Sequence, residues 1–363
     1  MREIMRFADA VILVTGGAGF IGSAVIRHLL ADTAAIVVNI DKLTYAASPG
    51  AIGSDAATGR YHFVHADVCD GSMLRKVLER YQPHYVMHLA AETHVDRSID
   101  EPDQFIHANV IGTFTLLQEA LRFWRRLPPD ARGRFRFLYV STDEVYGSLD
   151  GGPCAESAAY APNSPYSASK AAGDHLVRAW RQTYKLPTVT TNSSNNYGPF
   201  QFPEKLIPLM IDKALRGDRM PVYGKGINVR DWLYVEDHAE ALHLMFTKGK
   251  PGEKYHVGGS AERRNIDLVR QLCSVLDDMI PQSPHWPHHH LIHFVDDRPG
   301  HDERYAMDWS KIERDLGWRP RTAFEDGLKK TVAWYLANRA WSDDVRARGY
   351  GGERLGQIAK GVL

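Results

Sequence analysis

The sequence predicts an α/β fold, a doubly wound parallel sheet with a smaller, interleaved C-terminal domain. Three observations carry this reading. Strand-length apolar runs alternate with helical stretches through the first half, the pattern of a parallel sheet covered by helices. A glycine-rich turn joins the first run to the first helical stretch. From about Asn196 the alternation gives way to loops rich in Gly, Pro and aromatic residues.

The apolar runs lie at 10–15, 36–40, 61–65, 85–89, 135–140 and 188–191 and are read as strands. Segments 21–30, 73–80, 110–125 and 167–184 space their apolar residues roughly 3.6 apart and are read as helices. Helices are also expected near 202–215, 235–246 and 266–279, in a smaller domain that caps the carboxyl ends of the strands, where ligands bind in such sheets. The expected division is 1–195 with 231–256 in the first domain and 196–230 with 257–363 in the second. Segment 280–290, with Pro281, Pro284, Pro287 and the run His288-His289-His290, reads as an exposed loop.

Composition narrows the partners. A chain of 363 residues can bury a large core, and its formal net charge of +0 comes without any Lys/Arg-rich block. Nucleic acid and anionic membrane are therefore not expected partners; a small molecule or a second copy of the chain is. Cys69, Cys154 and Cys273 are odd in number and far apart, which suits a reducing compartment. Segment 1–9 is charged, the apolar run 11–14 is too short for a leader core, and no run could span a bilayer, so a cytoplasmic location is expected.

The run Val11 to Val14 leads into Thr15-Gly16-Gly17-Ala18-Gly19-Phe20-Ile21-Gly22-Ser23 and then a helix. Gly16, Gly19 and Gly22 permit a tight turn, close approach of backbone to a pyrophosphate and close helix–strand packing, and the helix N-terminus favours the anion. Asp41, nineteen residues beyond Gly22, ends the next strand, where its carboxylate can bind a ribose 2′-hydroxyl. The fingerprint is of Rossmann type. Because Asp41 would repel a 2′-phosphate, NAD is expected rather than NADP, with Lys42 beside it pulling the other way. Phe20, Ile21 and Thr44 flank the same pocket. Asp67-Val68 follows the third strand and is placed to meet the adenine, while Leu89-Ala90-Ala91 offers small side chains for a nicotinamide.

The chemistry is carried by two runs, Ser141-Thr142-Asp143-Glu144-Val145-Tyr146-Gly147 and Tyr166-Ser167-Ala168-Ser169-Lys170. Tyr166 and Lys170 share a helix face, and an ammonium near the phenol is expected to lower its pKa. With the glycine fingerprint about 150 residues upstream, this pair resembles the extended branch of the short-chain dehydrogenase/reductase superfamily. Thr142, Asp143 and Glu144 follow the fifth strand and sit where the nicotinamide should lie. Elimination from a 4-keto sugar needs a base for the carbon 5 proton and an acid for the departing 6-hydroxyl, and two neighbouring carboxylates in different environments can take those opposite states.

The match extends through Ala91-Glu92-Thr93-His94-Val95-Asp96-Arg97-Ser98, Asn195-Asn196-Tyr197-Gly198-Pro199, Pro203-Glu204-Lys205-Leu206-Ile207-Pro208, Arg230-Asp231-Trp232-Leu233-Tyr234-Val235-Glu236-Asp237-His238 and Asp297-Arg298-Pro299-Gly300-His301-Asp302. Nearly end to end, the chain resembles the dTDP-glucose 4,6-dehydratase family. The resemblance implies that Tyr166 takes the proton of the sugar 4-hydroxyl as hydride passes to NAD and that Thr142 hydrogen-bonds the 4-keto oxygen. It further implies that Glu144 removes and later restores the carbon 5 proton, and that Asp143 protonates the leaving 6-hydroxyl. NAD would be regenerated each cycle and tightly held. Asn196, Lys205, Arg230, Asn265, Arg298 and His301 resemble the family's diphosphate and nucleotide binders; Thr93 and Glu204 fall in the same motifs, and Pro221 and Tyr223 are placed to pack against the base. A homodimer through helices 110–125 and 167–184 is implied as well.

Two departures stand out: Ala47-Ser48 where the family commonly has Gly-Asn, and Thr93 where it often has Ser. No carboxylate or cysteine accompanies His288 to His290 at ligand spacing, so no metal is expected. Three alternatives remain at this level: a dehydratase of a UDP-, CDP- or GDP-linked sugar, an NAD-dependent nucleotide-sugar 4-epimerase, which would not need Asp143 and Glu144, and a non-catalytic NAD-sensing scaffold, which would need neither acid nor base.

Overall fold

The computed structural model describes residues 10–347 and Leu355. The charged segment 1–9, on which the expectation about a leader rests, lies outside the described residues.

Elements follow in the order β1 (Val11–Thr15), α1 (Phe20–Asp32), β2 (Ile36–Asp41), β3 (Tyr61–His65), α2 (Gly71–Tyr81) and β4 (Tyr85–His88). Next come α3 (Val95–Asp100), α4 (Pro102–Phe105), a π-turn at Ile106–Ile111, α5 (Gly112–Arg126), α6 (Pro129–Arg134), β5 (Arg136–Thr142), a 3-10 turn at Asp143–Tyr146, α7 (Pro165–Tyr184) and β6 (Thr188–Ser193). The second half contains β7 (Asn195–Tyr197), α8 (Leu206–Arg216), β8 (Met220–Tyr223), β9 (Val229–Tyr234), α9 (Val235–Lys248), β10 (Lys254–Val257), β11 (Glu262–Arg264) and α10 (Asn265–Met279). It closes with β12 (Ile292–Val295), α11 (Ser310–Leu316), α12 (Phe324–Ala337) and α13 (Arg339–Ala347).

Seven strands form one sheet in the order β10-β6-β5-β4-β1-β2-β3, with every pair parallel. The chain reverses its direction of winding between β1 and β4, which opens a crevice at their carboxyl ends. Alternation along β1 explains the layers. Ile12 and Val14 pack into one core with α1, α9 and α11, whereas Leu13 faces the other way into a core with α2, α5 and α7. A third core lies between the small sheets β11-β9-β7 and β12-β8 and helices α8, α10 and α12. Strand β9 is shared: Trp232 and Tyr234 belong to this third core, and Leu233 to the first.

The small sheets and the seventh strand of the large one are absent from the sequence reading, because charged, polar or proline residues such as Pro221, Arg230-Asp231 and Glu262 break up any apolar run in them. Two further expectations are corrected. The helix placed at 202–215 starts at Leu206, since Lys205 takes an extended conformation as its N-cap. Segment 280–290 is not exposed throughout: His288 is fully buried and its ring and amide both meet Asp277, at 2.5 and 3.0 Å.

Helix α7 approaches β5 closely because Gly173 faces it. A Cβ there would lie 2.0 Å from the Tyr139 hydroxyl oxygen. Alanine normally stabilises a helix interior relative to glycine by about 1 kcal/mol, but here the rigid ring of a fully buried tyrosine decides the sign. Gly173→Ala is expected to destabilise the protein by roughly 1–3 kcal/mol, read as a lower denaturant midpoint at unchanged m-value.

Candidate active site

The site begins where β1 ends. Gly16 turns with a φ of 74°, and a Cβ on Gly22 would lie 2.2 Å from the Gly16 carbonyl oxygen, so the first turn of α1 can close on the loop only with glycine there. Asp41 orders this loop, its two carboxylate oxygens accepting from the amides of Ala18 and Leu43 at 2.9 and 2.8 Å. Asn39, which the sequence reading missed, holds the neighbouring amide of Gly17 at 3.0 Å.

A cavity of about 290 Å³ runs from this loop along the strand ends to the acidic pair. Gly16, Gly19, Phe20, Ile21, Gly22, Asp41, Lys42, Thr44, Val68, Leu89, Ala90, Ala91, Tyr166 and Lys170 all line it. Asp67 does not; its carboxylate accepts from the Cys69 amide and sits 3.8 Å from Lys42, which also reaches Glu92 at 3.8 Å. The glycine cradle, the Asp41 carboxylate and the apolar far wall fit a dinucleotide such as NAD. Ser48, one of the departures from the family pattern, is buried, donates its amide to the Ala18 carbonyl and accepts from the Trp341 indole at 2.9 Å. Helix α13 is thereby fastened beside the cofactor loop.

Helix α7 starts on a capping box, Ser164 and Ser167 each meeting the other's amide, with Pro165 in the first turn. This fixes Tyr166 one residue into the helix and Lys170 a turn later. Lys170 donates to the Val140 carbonyl at 2.8 Å and lies over the Tyr139 ring. Burial lowers its pKa to about 8, against the pull of Asp174. The expectation that Lys170 lowers the Tyr166 pKa is not met in this geometry. Burial first, and Glu144 next, hold the phenol above its ordinary value, with the Thr142 hydrogen bond working the other way. Asp174, a buried carboxylate accepting from Tyr160 and Asn192 at 2.6 and 3.1 Å, and Asn109, donating to Ser169 at 2.8 Å and to the Glu92 carbonyl, brace this wall and were also missed. Both sit in helical stretches where a lone polar residue gives no signal.

Thr142 ends β5, and its hydroxyl caps the turn that carries the acidic pair, accepting from the Glu144 amide at 3.2 Å and donating to Asp143 at 3.1 Å. Asp143 is buried, and its second oxygen, Oδ2, has no partner. Burial, then Glu144, push its carboxyl well above the usual range. Burial also raises Glu144, but Arg298, Arg230 and Lys205 oppose it. Both carboxyls are raised, Asp143 the further, so Asp143 is the one held toward the acid while the three cations partly restrain the rise of Glu144.

Glu144 also lines a second cavity of about 190 Å³, together with Glu204, Lys205, Pro221, Tyr223, Arg230, Asn265, Arg298 and His301. Arg298 pairs with Asp96 at 2.5 Å, and Tyr223 donates to the same carboxylate at 2.7 Å. Arg230 donates to the Asp302 carbonyl and lies over the Tyr305 ring. The Nε of Arg298 and the Oδ1 of Asn265 are buried without partners, leaving a donor and an acceptor for a ligand with a charged linker and a polar base. Glu204 is held by Arg97 and Tyr45, both at 3.0 Å, and Lys205 donates to the Thr93 carbonyl at 2.7 Å. Thr93 and Asn196 line the first cavity. The Asn196 side chain is engaged with His238 and the Ser194 carbonyl, and it is Asn195, with a free buried Oδ1, that borders both cavities. Among the described residues no group of three or more His, Cys, Asp or Glu could hold a metal ion.

The family model for GDP-mannose 4,6 dehydratase matches residues 13–331. A dTDP-glucose 4,6-dehydratase of Salmonella typhimurium is 54% identical over 349 residues, covering 93% of this chain and 96% of that protein. The DesIV dTDP-glucose 4,6-dehydratase of Streptomyces venezuelae, solved with NAD and TYD bound, superposes with a TM-score of 0.83 at 43% identity, covering 92% of this chain and 99% of that one. A dTDP-glucose 4,6-dehydratase of Bacillus anthracis, solved in complex with NAD, gives a TM-score of 0.81 at 40% identity over 93% of this chain and 99% of that one.

The Asp143 environment fixes a stability test. Its folded pKa lies above the ordinary 3.8, so above that pH the folded state holds a proton the unfolded chain has lost, and stability falls as pH rises toward the folded pKa. Asp143→Asn carries no such penalty. It is expected to melt higher than the parent near pH 8, by an amount worth roughly 1 kcal/mol, with the gap closing toward pH 4; calorimetry across that range checks the trend.

Proposed function

The chain belongs to the dTDP-glucose 4,6-dehydratase family of extended short-chain dehydrogenases/reductases, and on that premise we propose that it dehydrates dTDP-glucose to dTDP-4-keto-6-deoxyglucose. The observation that carries this reading is the pair formed by buried Asp143 and half-buried Glu144, set beside Tyr166 where the cofactor cavity meets the second, cationic one. Bound NAD supplies an acceptor for the hydride of carbon 4, which is returned to carbon 6. Tyr166 takes the proton of the 4-hydroxyl, and Thr142 hydrogen-bonds the 4-keto oxygen as it forms. Lys170, anchored on the Val140 carbonyl, places a positive charge one helical turn below Tyr166. The ketone acidifies carbon 5; Glu144 removes that proton, Asp143 protonates the departing 6-hydroxyl, and Glu144 returns its proton to carbon 5.

Arg230, Arg298 and Lys205 bind the diphosphate, and Pro221, Tyr223 and Asn265 flank the thymine. The product, a reactive 4-ketone, is a precursor for deoxysugars such as rhamnose. The chain divides into an NAD-binding unit, 1–195 with 231–256, and a nucleotide-sugar unit, 196–230 with 257–363. Support comes from α9 and β10 packing in the large sheet while the small sheets enclose a separate core.

The functional unit is a homodimer formed through α5 and α7. Ile111 and Phe114 are 44% and 40% exposed, and Phe114, Trp180 and Tyr184 make a continuous aromatic strip across the two helices. The cytoplasm is the expected compartment: Cys69, Cys154 and Cys273 are free, and no described helix is long and apolar enough to cross a membrane.

Incubation with dTDP-glucose and, separately, UDP-glucose without added NAD tests the substrate. Loss of one water from dTDP-glucose alone is expected; conversion to an epimer of unchanged mass would replace the reading with a 4-epimerase. Glu144→Gln and Asp143→Asn should each lower turnover by about 100-fold or more, whereas an epimerase would tolerate both. Phe114→Glu is expected to halve the mass seen by light scattering.

A further inference from the structure

The proposed reaction leaves the enzyme out of balance after every turnover. The hydride taken from carbon 4 is returned to carbon 6, and the proton Glu144 takes from carbon 5 is returned to carbon 5, so both of those exchanges close. The proton of the 4-hydroxyl stays on Tyr166. The proton that leaves with the 6-hydroxyl as water came from Asp143. Substrate has lost one water, Tyr166 holds one proton too many, and Asp143 holds one too few. A second cycle requires Tyr166 to lose one proton and Asp143 to gain one.

One hydroxyl bonds Asp143 and shares a cavity with Tyr166. Thr142 Oγ1 donates to Asp143 Oδ1 at 3.1 Å and accepts from the Glu144 amide at 3.2 Å. A threonine hydroxyl has one proton and two lone pairs, so a single acceptor position remains, and Tyr166, whose pKa the neighbouring Thr142 hydroxyl draws down, lines the same cavity. With the Glu144 amide on one lone pair and the hydroxyl proton toward Asp143, Thr142 keeps one lone pair open to a further donor. Thr142, Asp143 and Tyr166 line the same cavity, and all three are otherwise buried.

We propose that Thr142 is the proton conduit that resets the site, passing its own proton to Asp143 as it takes one from Tyr166. The O–H bonds broken are those of Tyr166 and Thr142, those formed are on Thr142 and Asp143, and no other proton source or redox partner is required. This rests on the dehydratase reading above and adds to Thr142 a task distinct from holding the 4-keto oxygen: the conduit acts between turnovers, the contact to substrate within one.

That difference in timing gives the test. Thr142→Val and Thr142→Ser are purified with their NAD, mixed with excess dTDP-glucose and quenched at intervals for mass analysis. Thr142→Val is expected to release a burst of one product per active site and then slow by about 10-fold or more, with the slow phase accelerated by rising concentrations of a small proton carrier such as imidazole or formate. The parent and Thr142→Ser should show neither burst nor buffer dependence. A Thr142→Val time course that is linear from the first turnover, or a slow phase indifferent to the carrier, would overturn the conduit and leave Thr142 as a substrate contact alone. Absence of water loss with the parent enzyme would be a separate result, removing the dehydratase reading and this inference with it.

Discussion

Two carboxyl groups adjacent in sequence, one buried and one half-buried, meet at the end of β5, and much of the molecule is arranged around that constraint. Side by side in a poorly solvated crevice they cannot both ionise cheaply. Glu144 faces Arg298, Arg230 and Lys205, cations delivered from the loops and small sheets of the second half, whereas at Asp143 the Thr142 hydrogen bond and then Arg230 work against burial, both ranking behind the repulsion from Glu144. The second half of the chain is therefore more than a substrate holder. The same guanidinium groups that suit a diphosphate also oppose the effect of burial on the base.

The first half was legible because its strands are buried on both faces and its helices are long. Strand β3 has the bounds read from sequence, and β1, β2, β4, β5 and β6 differ by two residues or fewer at each end. Asp41 and the glycines were legible because backbone geometry dictates their identity. The small sheets were not, since β7 and β11 are three residues each and owe their conformation to pairing with β9. Within the site, Asn39, Asp96, Asn109 and Asp174 went unassigned because each acts on a neighbour that is remote in sequence, and Asn195 because nothing local marks it, its Oδ1 being buried without a partner. Asp96 reaches Arg298 across 202 positions, a contact no local pattern encodes.

Tyr166 and Lys170 illustrate a different limit. Their spacing correctly places both on one face of α7, yet charge proximity inferred from spacing says nothing about desolvation. In the folded chain the ammonium is claimed by the Val140 carbonyl, and burial dominates the phenol. A spacing argument fixes direction on a helix; the competition between burial and charge is decided by what closes over that face, here α3, α4 and the end of β5.

Strand β9 sends Leu233 into the core beneath the dinucleotide crevice and its neighbours Trp232 and Tyr234 into the core beneath the sugar pocket. One six-residue segment is thus a party wall common to both halves. Neither half can be cut away without tearing the other, so such a molecule cannot acquire a new substrate by trading its second half for a foreign one. Diversification in this architecture has to proceed by replacing individual side chains around the pocket while the wall stays in place.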